Sequence, residues 1–84
     1  MSLSGEPRGA AYYLENYLGS KHISQHQLAR ELEVSQAHIS MILSKQVFIS
    51  ERFAVKLEKL TGLSARKLLI EDMEYKLNLL EEEK

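Results

Sequence analysis

Four residues on one short stretch, Gln36, Ala37, Ser40 and Met41, carry side chains suited to reading the edges of DNA bases. A glutamine amide offers the donor and acceptor pair that matches adenine, and a short methyl group can meet the methyl of thymine. Ser40 and Met41 follow one turn further on. Around them stand groups suited to phosphate: Lys21, Gln25, Ser35, Lys45 and Gln46. Such groups fix the position of a protein on a duplex, while base contacts carry the sequence preference.

The chemistry these residues imply is recognition rather than catalysis. The chain has no Ser, His and Asp set on an identifiable scaffold, no Gly-rich phosphate loop and no pair of carboxylates in an apolar surround. It is not expected to be an enzyme, and no cofactor is expected. His22, His26 and His38 are not expected to bind metal, because the helix cap expected at Ser24 separates His22 from His26 and no Cys completes a ligand set.

The elements that must position the reading residues lie in QHQLARELEVSQAHISMILS, residues 25–44. Two short helical patterns, Gln25 to Leu32 and Gln36 to Leu43, are joined by Glu33, Val34 and Ser35. Leu28, Leu32, Val34, Ile39 and Ile42 recur at the 3, 4 and 7 spacings of a buried helical face. Ala29 falls where two helices must cross closely. The pattern is that of a helix-turn-helix, whose second helix fits the major groove with its N-terminal side chains nearest the bases.

The remaining chain predicts three more helices and no strand. Pro7 is suited to a first helical turn; Ala10, Ala11, Leu14 and Leu18 mark an inward face, and Gly19 is the expected stop. Tyr13 and Tyr17 lie beside that face and are expected to pack. Serine is the expected cap four times, at Ser24, Ser35, Ser50 and Ser64, with a reciprocal capping box between Ser24 and Gln27 and Ile23 stapling that helix entrance. Ile49 is expected to tuck under the fourth helix, where Phe53, Ala54, Leu57 and Leu60 carry the core onward to Thr61-Gly62. The last helix, about 65–82, sets Ile70, Met73, Leu77 and Leu80 at spacings of 3, 4 and 3, a short seam expected either to dock on its own domain or to pair with a second copy. Glu81 to Glu83 oppose the helix dipole, so fraying is expected there.

The fold expected is therefore all-α, a compact five-helix bundle with a longer C-terminal helix: residues 1–6 a tail, residues 7–84 a single domain. A chain of 84 residues, 44% apolar and 27% charged, suits one small domain. It holds no cysteine, so disulfides and thiolate metal sites are excluded. No stretch reads as a membrane span or signal peptide. The net charge of −1 hides an asymmetry: residues 35–70 carry six Lys or Arg against two acids, or +4, whereas residues 71–84 carry two against six, or −4. One surface can thus be basic on a nearly neutral chain.

Residues 25–44 resemble the helix-turn-helix of phage-repressor-type, XRE-family regulators, of the lambda-repressor-like fold. The resemblance extends through ISERFAVKLEKLTGLSARKLL, residues 49–69, and the following Met73 to Leu77, which is similar to antitoxins of the HigA and VapI type. Those share an Ile-Ser pair opening the fourth helix, a Gly-x-Ser separating it from the fifth and a Tyr-x-Leu near the end; Glu6-Pro7-Arg8-Gly9 echoes the family's Pro-Gly start. The turn departs from the family pattern in having Glu33 where glycine is usual, at an expected cost on the order of 1 to 2 kcal/mol if the backbone there is left-handed.

The resemblance implies a sequence-specific, DNA-binding transcriptional repressor, acting as a homodimer on an inverted repeat in double-stranded DNA. It also implies the antitoxin and autoregulator of a toxin-antitoxin operon, with a cognate toxin as partner, no membrane association and a cytoplasmic, nucleoid-associated location in bacteria. Two alternatives stand beside it: an XRE-type regulator with no toxin, and a helical interaction module that binds a protein through its tyrosine surface and acidic tail. Ala29→Leu is expected to overpack the helix crossing and cost roughly 1 to 3 kcal/mol; unchanged thermal stability would place the crossing elsewhere.

Overall fold

The computed structural model describes residues 8–82. Within them five α-helices follow one another: α1 (Gly9–Lys21), α2 (Gln25–Leu32), α3 (Gln36–Leu43), α4 (Glu51–Thr61) and α5 (Ala65–Glu82). Pro7, expected to open the first helix, lies outside the described residues, as do the 1–6 tail and Glu83. Among the described residues no strand is formed, and no helix is long and apolar enough to cross a membrane.

Four of the five helices start on serine, as the sequence predicts. The hydroxyl oxygens of Ser24, Ser35, Ser50 and Ser64 accept from the amides of Gln27, His38, Phe53 and Lys67 at 3.0 to 3.2 Å. Each bond satisfies one orphan amide of the first turn, worth typically ~1 kcal/mol. The reciprocal half of the expected capping box does not form. The Gln27 side chain runs along the helix instead, its Nε2 donating to Glu31 Oε2 at 3.5 Å.

α1 starts differently. Arg8 at its N-cap makes no side-chain cap, and the amides are met from α5. Arg8 N donates to Glu71 Oε1 at 3.0 Å, and Ala10 N donates to Asp72 Oδ1 at 2.6 Å. The second Asp72 oxygen, Oδ2, accepts from Ile49 N at 2.8 Å. Asp72 is only 7% exposed, a polar side chain in an otherwise apolar interior.

Helix ends depart from expectation at α1. Gly19 does not stop it; the helix runs to Lys21, and His22 takes the left-handed turn at φ 59°. The stop comes from Ile23, whose amide donates to Leu18 O at 3.2 Å while its side chain packs against the core. α2 ends the same way: Glu33 is left-handed at φ 62°, and Val34 N donates to Ala29 O at 3.0 Å. Lys45 at φ 67° closes α3, followed by Gln46 N to Met41 O at 2.9 Å. Gly62 ends α4 as expected, at φ 84°.

Leu14, Leu28, Ile39, Ile42, Leu57 and Leu68 form the fully buried centre, so every helix supplies at least one side chain to it. Ile49 is buried as expected. Leu60 is not part of the core; it is 38% exposed, because the Thr61 hydroxyl folds back onto Leu57 O, accepts from Leu63 N, and delivers Leu63 to the inward place. α5 turns Ala65, Leu68 and Asp72 inward. Its seam, Ile70, Met73, Leu77 and Leu80, is 46 to 55% exposed: of the two expectations, docking on its own domain is not realised. α5 remains helical through Glu81 and Glu82.

Removing the Asp72 carboxylate would strand two buried amides. Asp72→Ala is therefore expected to lower stability by about 3 kcal/mol, read as a shifted denaturation midpoint in urea. A midpoint unchanged from wild type would show that these amides find other partners.

Candidate nucleic-acid interface

The helix-turn-helix is assembled from inside outward. Leu28, Ala29 and Leu32 of α2 are buried against Ile39 and Ile42 of α3, and the small Ala29 allows the close crossing. The last carbonyls of α2 are covered from α4, where Lys56 Nζ donates to Leu32 O at 3.1 Å. His38, on one flank of α3, stacks edge-on against Phe53 with ring centroids 5.4 Å apart. These contacts fix the rotation of α3 about its axis.

That rotation leaves Gln36, Ala37, Ser40 and Met41 all exposed. The four side chains read from the sequence as base-contacting thus share the outward side of one short helix. Its N-terminal end is tied to α2 by a contact the sequence did not reveal: His26 Nδ1 lies 3.1 Å from Gln36 Oε1. Nothing local in the sequence indicates which residue of one helix will face the first residue of another.

The five phosphate candidates fall into two groups at opposite ends of α3, which spans ~12 Å. Ser35 immediately precedes the N-terminal end of α3, and the His26–Gln36 contact brings to that end the start of α2, which carries Gln25, with Lys21 four residues before it. Ser35 Oγ is occupied as the cap of α3, which leaves its hydroxyl hydrogen free to donate. Lys45 and Gln46 lie beyond the C-terminal end, both exposed. The left-handed turn at Lys45 carries its Nζ to 4.8 Å above the Tyr75 ring, an attraction of about 0.5 to 1 kcal/mol at an exposed site. Phe48 lies 6.3 Å from Tyr75, with Lys76 Nζ 5.1 Å from the Phe48 ring. The loop after α3 is therefore held to α5 by alternating rings and cations.

Two further cations border the interface. Val34, His38, Ser50, Arg52, Phe53 and Lys56 line a shallow recess beside the start of α3. Arg52 and Lys56 belong to the basic middle of the sequence, whose charge count could be read but whose facing could not. The remaining histidine, His22, is the exposed left-handed cap of α1. Among the described residues no group of three His, Asp or Glu gathers as a metal site.

Tyr13 and Tyr17 are half-buried, as packing residues should be. Tyr13 packs edge-on against Tyr12 at 5.2 Å and sits under Lys67 Nζ at 5.2 Å. Burial, followed by the nearby Glu71 carboxylate, raises the Tyr13 phenol above its ordinary value, so it remains protonated at neutral pH.

A helix-turn-helix family model matches residues 14–68, most of the chain and every base- and phosphate-contacting candidate. Among solved structures, the chain is similar to the Pseudomonas aeruginosa protein PA4674 in complex with its 28-bp operator DNA, at 29% identity and a TM-score of 0.80 over 89% of this chain and 84% of that one. It is equally similar to the Pseudomonas aeruginosa antitoxin HigA with the higBA promoter, at 29% identity and a TM-score of 0.81 over 89% and 83%. An addiction module antidote protein of a HigA family from Coxiella burnetii shares the fold, at 23% identity and a TM-score of 0.77 over 88% and 82%. No curated protein sequence matches the chain.

Proposed function

Because this chain belongs to the helix-turn-helix family, we propose that it is a sequence-specific DNA-binding transcriptional repressor, the antitoxin and autoregulator of a toxin-antitoxin operon. One observation carries the reading. The exposed side of α3 presents an amide, a methyl, a hydroxyl and a thioether, on a fold shared over 89% of the chain with two proteins solved on operator or promoter DNA.

In the proposed complex α3 lies in the major groove. Gln36 pairs with adenine, Ala37 meets a thymine methyl, and Ser40 and Met41 contact the next bases. Lys21, Gln25, Ser35, Lys45 and Gln46 hold phosphates on either side. Lys45 gives up little to do so, since its attraction to Tyr75 is weak. The protein works as a homodimer on an inverted repeat, with two copies of α3 in successive major grooves about 34 Å apart. The exposed seam of Ile70, Met73, Leu77 and Leu80 supports a second copy, as do Val55 and Leu69, which line the grooves beside it. Repression needs no chemistry, because an occupied promoter excludes polymerase. The toxin is proposed as a protein partner by likeness to the HigA structures, and the location as the bacterial cytoplasm, on the nucleoid.

Selection from a randomised duplex DNA pool at moderate salt tests the reading. Enrichment of a two-fold symmetric site is expected, and no enrichment even at low salt would favour an interaction module instead. On the enriched site, Gln36→Ala should cost about 1 to 3 kcal/mol at one base position and relax preference there. Lys45→Ala should weaken all sequences alike and lower the salt slope by about one unit; a loss confined to one sequence would contradict its phosphate role.

A further inference from the structure

A glutamine amide is an acceptor at one end and a donor at the other, and rotation by half a turn exchanges them. What Gln36 reads therefore depends on what holds it. Gln36 Oε1 lies 3.1 Å from His26 Nδ1. A carbonyl oxygen can only accept, so this contact requires the ring tautomer that carries its proton on Nδ1, with the ring as donor. We propose that His26 is a positioning residue that fixes the orientation of the Gln36 amide and thereby its choice between adenine and guanine. The proposal rests on the DNA-binding reading above.

The consequence follows from base-edge chemistry. With Oε1 held toward His26, the Gln36 Nε2 hydrogens point away from it and can donate to a purine N7. The second lone pair of Oε1 remains free for the N6 hydrogen of adenine. Guanine presents an O6 acceptor at that place, so two oxygens would face each other. Without His26 the amide can also turn over and offer its NH2 to guanine O6, at the cost of setting Oε1 against the N7 acceptor, so the preference for adenine narrows. His26 needs no contact with DNA for this. Both side chains stand at the starts of their helices, His26 exposed on α2 and Gln36 exposed on α3, so either can be replaced without opening the core.

The test compares wild type, Gln36→Ala, His26→Ala and His26→Asn on the site enriched from the randomised pool, with thermal midpoints measured in parallel. Gln36→Ala identifies the base pair that Gln36 reads. At that pair, His26→Ala is expected to reduce the preference for adenine over guanine by about tenfold, leaving the other positions, the affinity for unrelated DNA and the thermal midpoint unchanged. His26→Asn should restore most of the preference, because its Nδ2 hydrogens lie close to where the ring Nδ1 hydrogen was. An unchanged adenine preference in His26→Ala would overturn the inference while leaving the repressor reading intact. So would a loss spread evenly over all positions, or an Asn variant no better than Ala. Failure of the wild type to enrich any site would overturn the DNA-binding reading and this inference with it.

Discussion

One carboxylate ties together three parts of the chain that are far apart in sequence. Asp72 accepts from Ala10 at the start of α1 and from Ile49 just before α4, and α5 carries it. Burying a carboxylate costs several kcal/mol in lost hydration, and here two amides and the positive end of the α1 dipole offset that cost. The geometry is demanding. Gly9 sits at φ 81°, strained for a residue with a side chain, and a Cβ there would come to 3.2 Å from Asp72 Oδ1, so the carboxylate would have to give by a few tenths of an ångström. By anchoring Ile49, Asp72 also limits where the chain can go after α3, and so fixes the far end of the helix that presents the proposed reading face.

The helices that build that face were legible because their signals are local. Gln25–Leu32 and Gln36–Leu43 follow from apolar spacing within each helix and from serine hydroxyls three residues before the amides they meet. Asp72 gave no such signal, since its partners lie 62 and 23 residues away and an aspartate on a long charged helix reads as surface. His22 was missed for a related reason: glycine at position 19 is a plausible stop, and what overrides it is the packing of Ile23. Leu60 has the right spacing for the core but not the right height, because the turn at Gly62 lets Leu63 take its place. The outward set Gln36, Ala37, Ser40 and Met41 could be named by elimination once the inward set was known. The contact from His26 could not, because it depends on how α2 and α3 cross.

Three non-glycine residues in left-handed backbone border the helix-turn-helix: His22 before it, Glu33 inside it and Lys45 after it. Each costs on the order of 1 kcal/mol relative to glycine, a noticeable fraction of the stability of a domain this size. What the fold gains is sharp reversals with defined directions. At His22 and Glu33 the following residue, Ile23 or Val34, is apolar and packs against the core, so burial offsets the strain. At Lys45 the next residue is the exposed Gln46. There the Gln46 amide donates to Met41 O at 2.9 Å and Val47, one residue further on, packs against the core, while the weak Lys45 contact with Tyr75 joins the loop after α3 to α5. That coupling makes α5 more than a support.

In the proposed complex the short length of α3 is what makes α5 matter for specificity. Eight residues span ~12 Å, enough to lie along three or four base pairs at 3.4 Å each. A few contacts worth about 1 to 3 kcal/mol apiece cannot single out one site among the very many offered by a genome. The reading face adds no formal charge, so general attraction to DNA must come from the cations around it and will fall with salt. In the proposed dimer the same few contacts are made twice, at a separation set by the protein, and their free energies combine. The apolar seam that α5 leaves uncovered is then what converts a weak reader of three or four base pairs into a selective one. The buried Asp72 on its inner side holds that seam in fixed relation to α1 and to the loop that follows α3.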